Sequence, residues 1–332
     1  MKTINLYIAI FCALFFFSAC NDEWIDELYS HMVSLKAPVG NEGVADIYLR
    51  YHPDGEVIYN LPVLRSGSTL PDNAIDVRIG VDNDTLEILN NQKFQYREDL
   101  HYKQLEEEYF ELLSPTCHMP AGSNKELYPV KFKFAGLDLS REWVLPLTIE
   151  EDPSYETNKR KGWRKALLHV LPFNDYSGNY SATNMNIYFA DSNNDPLVVD
   201  QRVAHVVDEN TVFFYAGTKA DNAYDRTDYK INVKFIKAEE GEDGSEKGTL
   251  EVKPVSNAIG FELIGNPTYE ITVEMDPTLP YLKYRRCVVK MSYTYNDITS
   301  ASEPIAYRAE GTMVMERKIN ILVPDEDQAI QW

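Results

Sequence analysis

Tyr269-Glu270-Ile271-Thr272-Val273-Glu274-Met275 decides the fold class. Tyr269, Ile271, Val273 and Met275 fall on one face, and Glu270, Thr272 and Glu274 on the other. That period of two belongs to a half-buried strand and not to a helix. Val289, Met291, Tyr293 and Tyr295 repeat it against Lys290, Ser292, Thr294 and Asn296. Tyr229, Ile231, Val233 and Phe235 give a third case, running into Glu239-Glu240-Gly241-Glu242-Asp243-Gly244-Ser245, which reads as an exposed hairpin loop before a strand at Thr249–Val252. Long antiparallel strands in sequence order favour a sandwich or an up-and-down barrel over any α/β fold.

Toward the N-terminus the same rule holds in Ala45–Tyr51 and Ile75–Val81, with further strands expected around Val57–Leu64, Val130–Phe134, Trp143–Ile149 and Ala166–Leu171. Asp84–Asn90 is the best short helix, with Asp84 as N-cap and Leu86 and Leu89 as buried contacts. Leu100–Phe110 has helical composition, but its polarity and the following Ser114-Pro115 argue against a helix. Pro172-Phe173-Asn174-Asp175-Tyr176-Ser177-Gly178 is rich in turn formers and marks a join. The reading is two all-β domains, at 31–172 and 173–332.

The chain opens with Lys2, an apolar run from Ile4 to Phe17, the small residues Ser18 and Ala19, and Cys20. Counted through Ala19 the run is about 16 residues, short of the roughly 20 that cross a bilayer as a helix. It reads as a secretory signal over 1–19. A cysteine directly after small residues matches a bacterial lipoprotein box, although Phe17 stands where Leu is usual. Cys20 would then be acylated, with 20–30 as a lipidated tether, and the protein membrane-bound through that lipid. Trp24, so close to the anchor, suits an interfacial role as well as a sugar contact.

The net charge is -20; removing the leader leaves 31 Lys+Arg against 52 Asp+Glu, or -21. Such a field repels phosphate polyanions, so nucleic acid is excluded as a partner, while neutral and cationic ligands are not. Twenty-two tyrosines suit both strands and sugar-binding surfaces. Cys12 leaves with the leader, and Cys117 and Cys287 read as unpaired and buried in separate cores. No CxxC or Cys/His cluster suggests structural zinc, and no cofactor is expected.

In the first half, Thr85-Leu86-Glu87-Ile88-Leu89-Asn90, Leu105-Glu106-Glu107-Glu108-Tyr109-Phe110-Glu111-Leu112, Met119-Pro120-Ala121-Gly122 and Trp143-Val144-Leu145-Pro146-Leu147-Thr148-Ile149 occur in order. In the second, Tyr176-Ser177-Gly178-Asn179-Tyr180, Gly311–Ile319 and Val323–Ile330 follow. Together these resemble a family of two-domain surface lipoproteins of Bacteroidota polysaccharide-utilisation loci, with an N-terminal domain of unknown function. The resemblance implies an immunoglobulin-like N-terminal β-sandwich and a C-terminal antiparallel β-barrel or β-sandwich, lipocalin-like or lectin-like. It also implies an outer-membrane position facing the cell exterior, beside an importer and its glycan-capturing lipoprotein. In that setting Asn21-Asp22-Glu23 resembles a surface-export signal, and a plain solvated tether explains it equally well. Leu145-Pro146-Leu147 fits an edge strand, and Ala121-Gly122 a tight turn.

Nothing declares an enzyme. There is no GxSxG, HExxH, GxGxxG or phosphate-cradling glycine loop. The six histidines (His31, His52, His101, His118, His169, His205) show no i, i+4 pair. Carboxylate pairs for glycoside hydrolysis are too easily found among 52 acids to mean anything. Asp82-Asn83-Asp84 with Glu87 offers oxygens for calcium but lacks the loop glycine, and a charged helix start explains it better. Asp191-Ser192-Asn193-Asn194-Asp195 reads likewise as a hairpin turn.

Binding remains. Sugars are held by ring faces and by planar polar side chains. Candidate glycan contacts are Trp163 in a basic stretch, Tyr215 before Ala216-Gly217, Tyr224 and Arg226 in a turn-like segment, Tyr281 and Tyr284 after Pro280, and Tyr295-Asn296 at a strand end. The expected function is capture of an oligo- or polysaccharide for import, without catalysis. An adhesin-like envelope interaction module is the alternative, and a glycoside hydrolase a third.

Overall fold

The computed structural model describes residues 29–38, 40, 42–82, 84–299 and 303–332. The leader, Cys20, Trp24, Asn21-Asp22-Glu23 and Asn83 lie outside the described residues.

Period-two sequence becomes sheet throughout. The first half forms β1 (Met32–Leu35), β2 (Ala45–Arg50), β3 (Glu56–Arg65), β4 (Ile75–Val81), β5 (Lys103–Gln104), β6 (Phe110–Leu112), β7 (Thr116–Met119), β8 (Lys125–Lys133), β9 (Trp143–Ile149), β10 (Glu156–Thr157) and β11 (Lys165–Phe173). One sheet is ordered β10-β1-β3-β8-β6; the other is β2-β11-β9-β4-β7, with β5 added beside β9. Their inner faces enclose a single core in which Val33, Leu61, Val63, Tyr128, Phe132 and Leu145 have no solvent exposure. This is the expected sandwich. The helix α1 (Thr85–Lys93) covers one side, burying Leu86 and half-burying Leu89, and runs one turn past Asn90. Asp84 occupies the N-cap position but makes no side-chain cap bond. Leu100–Phe110 is not a helix: two 3-10 turns flank β5.

Pro146 is not on an edge strand, since β9 lies between β11 and β4. The physical reason is a change of partner. Along the side of β9 away from β11, β5 pairs with Trp143 and Val144, while β4 pairs with Leu147, Thr148 and Ile149. Pro146 sits at the gap between those partners, where no donor is required, and its carbonyl still accepts from Asp82 N at 3.0 Å. The turn at Ala121-Gly122 forms as expected, with Gly122 at φ +80°.

The second half forms β12 (Gly178–Phe189), β13 (Leu197–Val198), β14 (Gln201–Asp208), β15 (Thr211–Tyr215), β16 (Lys230–Glu240), β17 (Glu246–Pro254), β18 (Glu262–Leu263), β19 (Thr268–Met275), β20 (Leu282–Asp297), β21 (Ile305–Asn320) and β22 (Ile330–Gln331). Strands β12-β14-β15-β16-β17-β19-β20-β21 run in sequence order, and β21 returns to β12. An eight-stranded antiparallel barrel results, so of the two expected architectures the barrel holds. Eight strands leave an interior that side chains can just fill. They do so here: Tyr180 meets Phe214 edge-on at 5.4 Å, Tyr176 stacks on Phe235 at 3.9 Å, and Tyr229 and Tyr295 are buried. The cavity left inside is about 10 Å³. Met275, expected on the buried face of β19, is exposed because this strand end pairs only with the Lys283–Tyr284 start of β20, beyond the filled interior. Cys117 and Cys287 are free and buried, one in each domain.

The chain passes between domains through Asn174–Ser177, which is held firmly. Asn174 Nδ2 donates to Asp208 O at 2.7 Å and Thr211 O at 3.2 Å. Arg317, 5% exposed, donates to Asn174 O and Ser177 O at 2.6 Å each. Arg50 of the sandwich bonds Asp175 at 2.9 Å and Asp327 of the C-terminal tail at 2.6 Å. Trp332 stacks on Tyr48 of β2 at 4.2 Å and meets Phe173 edge-on at 4.8 Å. The seam between the domains is therefore a built interface.

Candidate functional site

Further along this seam a cleft of about 320 Å³ opens between the domains. The segment after α1 supplies one wall, with Glu98, Asp99 and His101; Asp138 and Glu142, just ahead of β9, extend it. The facing wall comes from the barrel: His205 on β14, Tyr215 ending β15, and the loop that carries Asp221, Tyr224 and Arg226. Long loops at domain junctions are where ligand sites concentrate.

Two arginines tie the walls together. Arg97 grips Asp99 with both nitrogens at 2.8 and 2.9 Å and reaches Asn222 O across the seam at 2.9 Å. Arg226 returns the contact to Asp99 O at 3.0 Å. The Arg97 guanidinium, helped by Arg226 and opposed by desolvation, holds the Asp99 carboxyl at about 2. Asp99 is thus an anion at every working pH.

Beside the cleft lies a carboxylate–imidazole–carboxylate array. His169 Nδ1 is 2.7 Å from Asp46 and Nε2 is 2.8 Å from Glu142, with Tyr102 edge-on to the ring at 5.2 Å. Burial works against its protonation, but the two carboxylates outweigh this and raise its pKa above the ordinary value. Glu142 is correspondingly lowered, first by its bond to His169. Both ring nitrogens are occupied by carboxylates, so this array orients side chains and has no free nitrogen for proton transfer to a substrate.

The structure brings together three of the sequence candidates and separates the others. Tyr215, Tyr224 and Arg226 share the cleft. Tyr215 is buried, and its desolvated hydroxyl is pushed up to about 12, so it serves as a neutral donor. Tyr224 is 83% exposed on the rim. Trp163 lies instead on the sandwich, in the short helix α2 (Lys161–Arg164), beside a separate groove and 5.7 Å from Lys36 Nζ. Tyr281 and Tyr284 belong to the other end of β20; Tyr284 donates to Asp276 at 2.9 Å, with Arg286 and Lys318 flanking its ring.

Tyr295 is corrected outright. It is 2% exposed, and its ring packs so closely on Gly217 that a Cβ there would come within 1.8 Å of the hydroxyl. Gly217, at φ +62°, is required both by its backbone and by that ring. Asn296 is likewise structural: its backbone N donates to Ile259 O at 2.7 Å, and its amide packs on Gly260. A strand-end position reads as loop in the sequence, whereas here β20 ends inside the packed rim of the barrel.

Sequence reasoning missed Tyr96, which is 86% exposed. Tyr96 adjoins Arg97 and Tyr224 lies two residues beyond Asn222, so the Arg97–Asn222 bridge joins the two segments that carry these rings; Tyr224 lines the cleft, and Tyr96 stands outside its lining. The signal available was Tyr96 among the polar residues Gln95, Arg97, Glu98 and Asp99 just after the helix. Among the described residues no group of His, Cys, Asp and Glu could hold a metal ion.

Comparison with known proteins places this architecture. A domain of unknown function (DUF4973) matches residues 24–153, and a C-terminal-domain model matches residues 164–314. No curated protein matches the chain. A Bacteroides ovatus protein of unknown function is 42% identical, with a TM-score of 0.81 over 91% of this chain and 100% of its own. A B. ovatus multidomain protein including DUF1735 is also 42% identical, at TM-score 0.79 over 90% and 99%. An auxiliary nutrient binding protein from Bacteroides thetaiotaomicron is 33% identical, at TM-score 0.77 over 88% and 97%. The chain belongs to the two-domain Bacteroides family that these structures represent.

Proposed function

We propose that this protein captures glycans at the cell surface for import, without catalysis. In this reading Cys20 carries the lipid that holds it on the outer membrane, facing outward, beside an importer and that importer's glycan-capturing lipoprotein. Confinement next to a transporter raises effective concentration even when each contact is weak. The observation that carries the reading is the exposed ring of Tyr224 on a cleft walled by planar polar groups, with a second exposed ring, Tyr96, on the segment that Arg97 ties to the same loop. Rings of this kind offer flat apolar faces to sugar C–H groups, and the carboxylates of the cleft accept from hydroxyls while its guanidinium groups donate. The cavity inside the barrel, about 10 Å³, is too small for a sugar ring, and the relative described as an auxiliary nutrient binding protein is consistent with capture. Five carboxylates line the cleft (Glu98, Asp99, Asp138, Glu142, Asp221) against three cations (Lys103, Arg141, Arg226). That excess favours uncharged glycans over uronates and sulfates.

Affinity electrophoresis of the mature protein through gels of neutral and acidic plant, fungal and host polysaccharides tests this. Retardation by at least one neutral polysaccharide is expected. Tyr224→Ala and Tyr96→Ala should each weaken it about tenfold, corresponding to ~1.4 kcal/mol, with melting unchanged. Retardation that survives both substitutions would move the site elsewhere. None with any polysaccharide, or release of sugar products, would sink the function itself.

A further inference from the structure

At the end of the barrel beneath the cleft loop, Arg202 of β14 turns into the interior. It is 9% exposed, and its Nη1 donates to Lys219 O at 3.0 Å, while its Nη2 has no protein partner. No described carboxylate forms an ion pair with it; the nearby Asp221 is engaged by His205 at 3.0 Å. A buried guanidinium without a counter-charge is among the costliest arrangements in a folded chain.

Arg202 lines the interior cavity of about 10 Å³, whose other walls are largely apolar, including Met185, Met291 and Met313. That volume accommodates roughly one water-sized sphere as it stands, and a halide enters when the flexible side chains of Met185, Met291 and Met313 give by a few tenths of an ångström. Tyr215 and Tyr293 also line it; the Tyr293 hydroxyl interacts with Arg202, and its oxygen already accepts from Gly217 N at 2.9 Å. Its hydrogen is therefore the part left to give. Arg202 Nη2 and the Tyr293 hydroxyl are thus donors, one of them cationic, in a largely apolar chamber.

We propose that this chamber is a site for a small spherical anion, chloride in life, held by Arg202 Nη2 and the Tyr293 hydroxyl. The anion supplies the missing counter-charge. Because Arg202 also holds Lys219 O, and Tyr293 holds Gly217 N, the same ion fixes the root of the segment 216–226 that carries Tyr224 into the cleft. Lys219 extends that support: its Nζ bonds Asp225 at 2.8 Å and lies 3.9 Å from the centre of the Tyr229 ring. The site does not depend on what the cleft binds.

Crystals of the full mature chain soaked in bromide test it directly. An anomalous peak within hydrogen-bonding reach of Arg202 Nη2 is expected. In solution, replacing gluconate by chloride at constant ionic strength should raise Tm by about 3 °C. Arg202→Met should abolish that difference, and Tyr293→Phe should reduce it. A peak with no anomalous signal identifies a water and overturns the proposal, as does a Tm indifferent to the anion. If Arg202→Met fails to fold, the bromide map of the native chain decides alone.

Discussion

The barrel interior and the interdomain cleft are built from similar residues and do opposite things. Both hold tyrosines, an arginine and loop segments from the same end of β15. Inside the barrel the rings interlock until about 10 Å³ remains, whereas between the domains about 320 Å³ stays open. The difference lies in what faces each ring. In the barrel the interior rings meet one another across intervening strands, as Tyr180 of β12 does on Phe214 of β15 and Tyr269 of β19 on Phe235 of β16. At the seam, Tyr96 and Tyr224 stand on loops whose neighbours are charged, and charged groups hold water and leave ring faces free. In this eight-stranded barrel the open space lies at the seam and not inside.

The sharpest way to break that contrast is to hollow the barrel. Phe214→Ala removes a ring that is 2% exposed in the centre of the packing. A loss of about 3–5 kcal/mol in unfolding free energy is expected, measured by urea denaturation. A barrel that worked as a ligand container would tolerate the change far better. Next comes the junction that keeps the cleft in shape. Arg317→Met leaves the carbonyls of Asn174 and Ser177 without their donor, both within the buried linker. About 2–3 kcal/mol should be lost, and calorimetry should show the two domains unfolding less cooperatively. An unchanged single transition would mean that Asn174 and the arginines on Asp175 hold the linker without Arg317.

Much of this was legible in the sequence, because alternation at period two is a local property. The strands at Ala45–Arg50, Ile75–Val81 and Lys230–Glu240 fall where the pattern puts them, as does the join before Gly178. What local pattern cannot carry is closure. Whether β21 returns to β12 depends on contacts between Tyr180 and Met315, over a hundred residues apart. The same limit explains the candidate site. Tyr215, Tyr224 and Arg226 are close in sequence and come together in space. Their partners Glu98, Asp99 and His101 come from the other domain, with no signal linking them. Tyr295 misled for the converse reason: a tyrosine beside Asn and Asp resembles a loop ring, and only the neighbouring Gly217 shows that it is core.

The smallest expected effect lies at the side of the cleft, in His169. Its ring is clamped between Asp46 and Glu142, and its folded pKa is raised above the ordinary value of 6.5. A raised pKa means that the folded state holds this proton more tightly than the unfolded chain. The stabilisation is then complete below about pH 6.5 and is lost as pH rises through the folded pKa. Both carboxylates are about half exposed, so solvent screening keeps the effect near 1 kcal/mol. The His169→Gln variant should differ from the native chain by about that much at pH 6 and by less at pH 9, in paired urea denaturations. Phe214 packs edge-on against Tyr180, whose hydroxyl burial keeps neutral at both values, so Phe214→Ala should cost the same at each. A pH-independent penalty for His169→Gln would show that the ring is held by its packing against Tyr102 and not by its charge, making this part of the cleft much more like the barrel than the contrast allows.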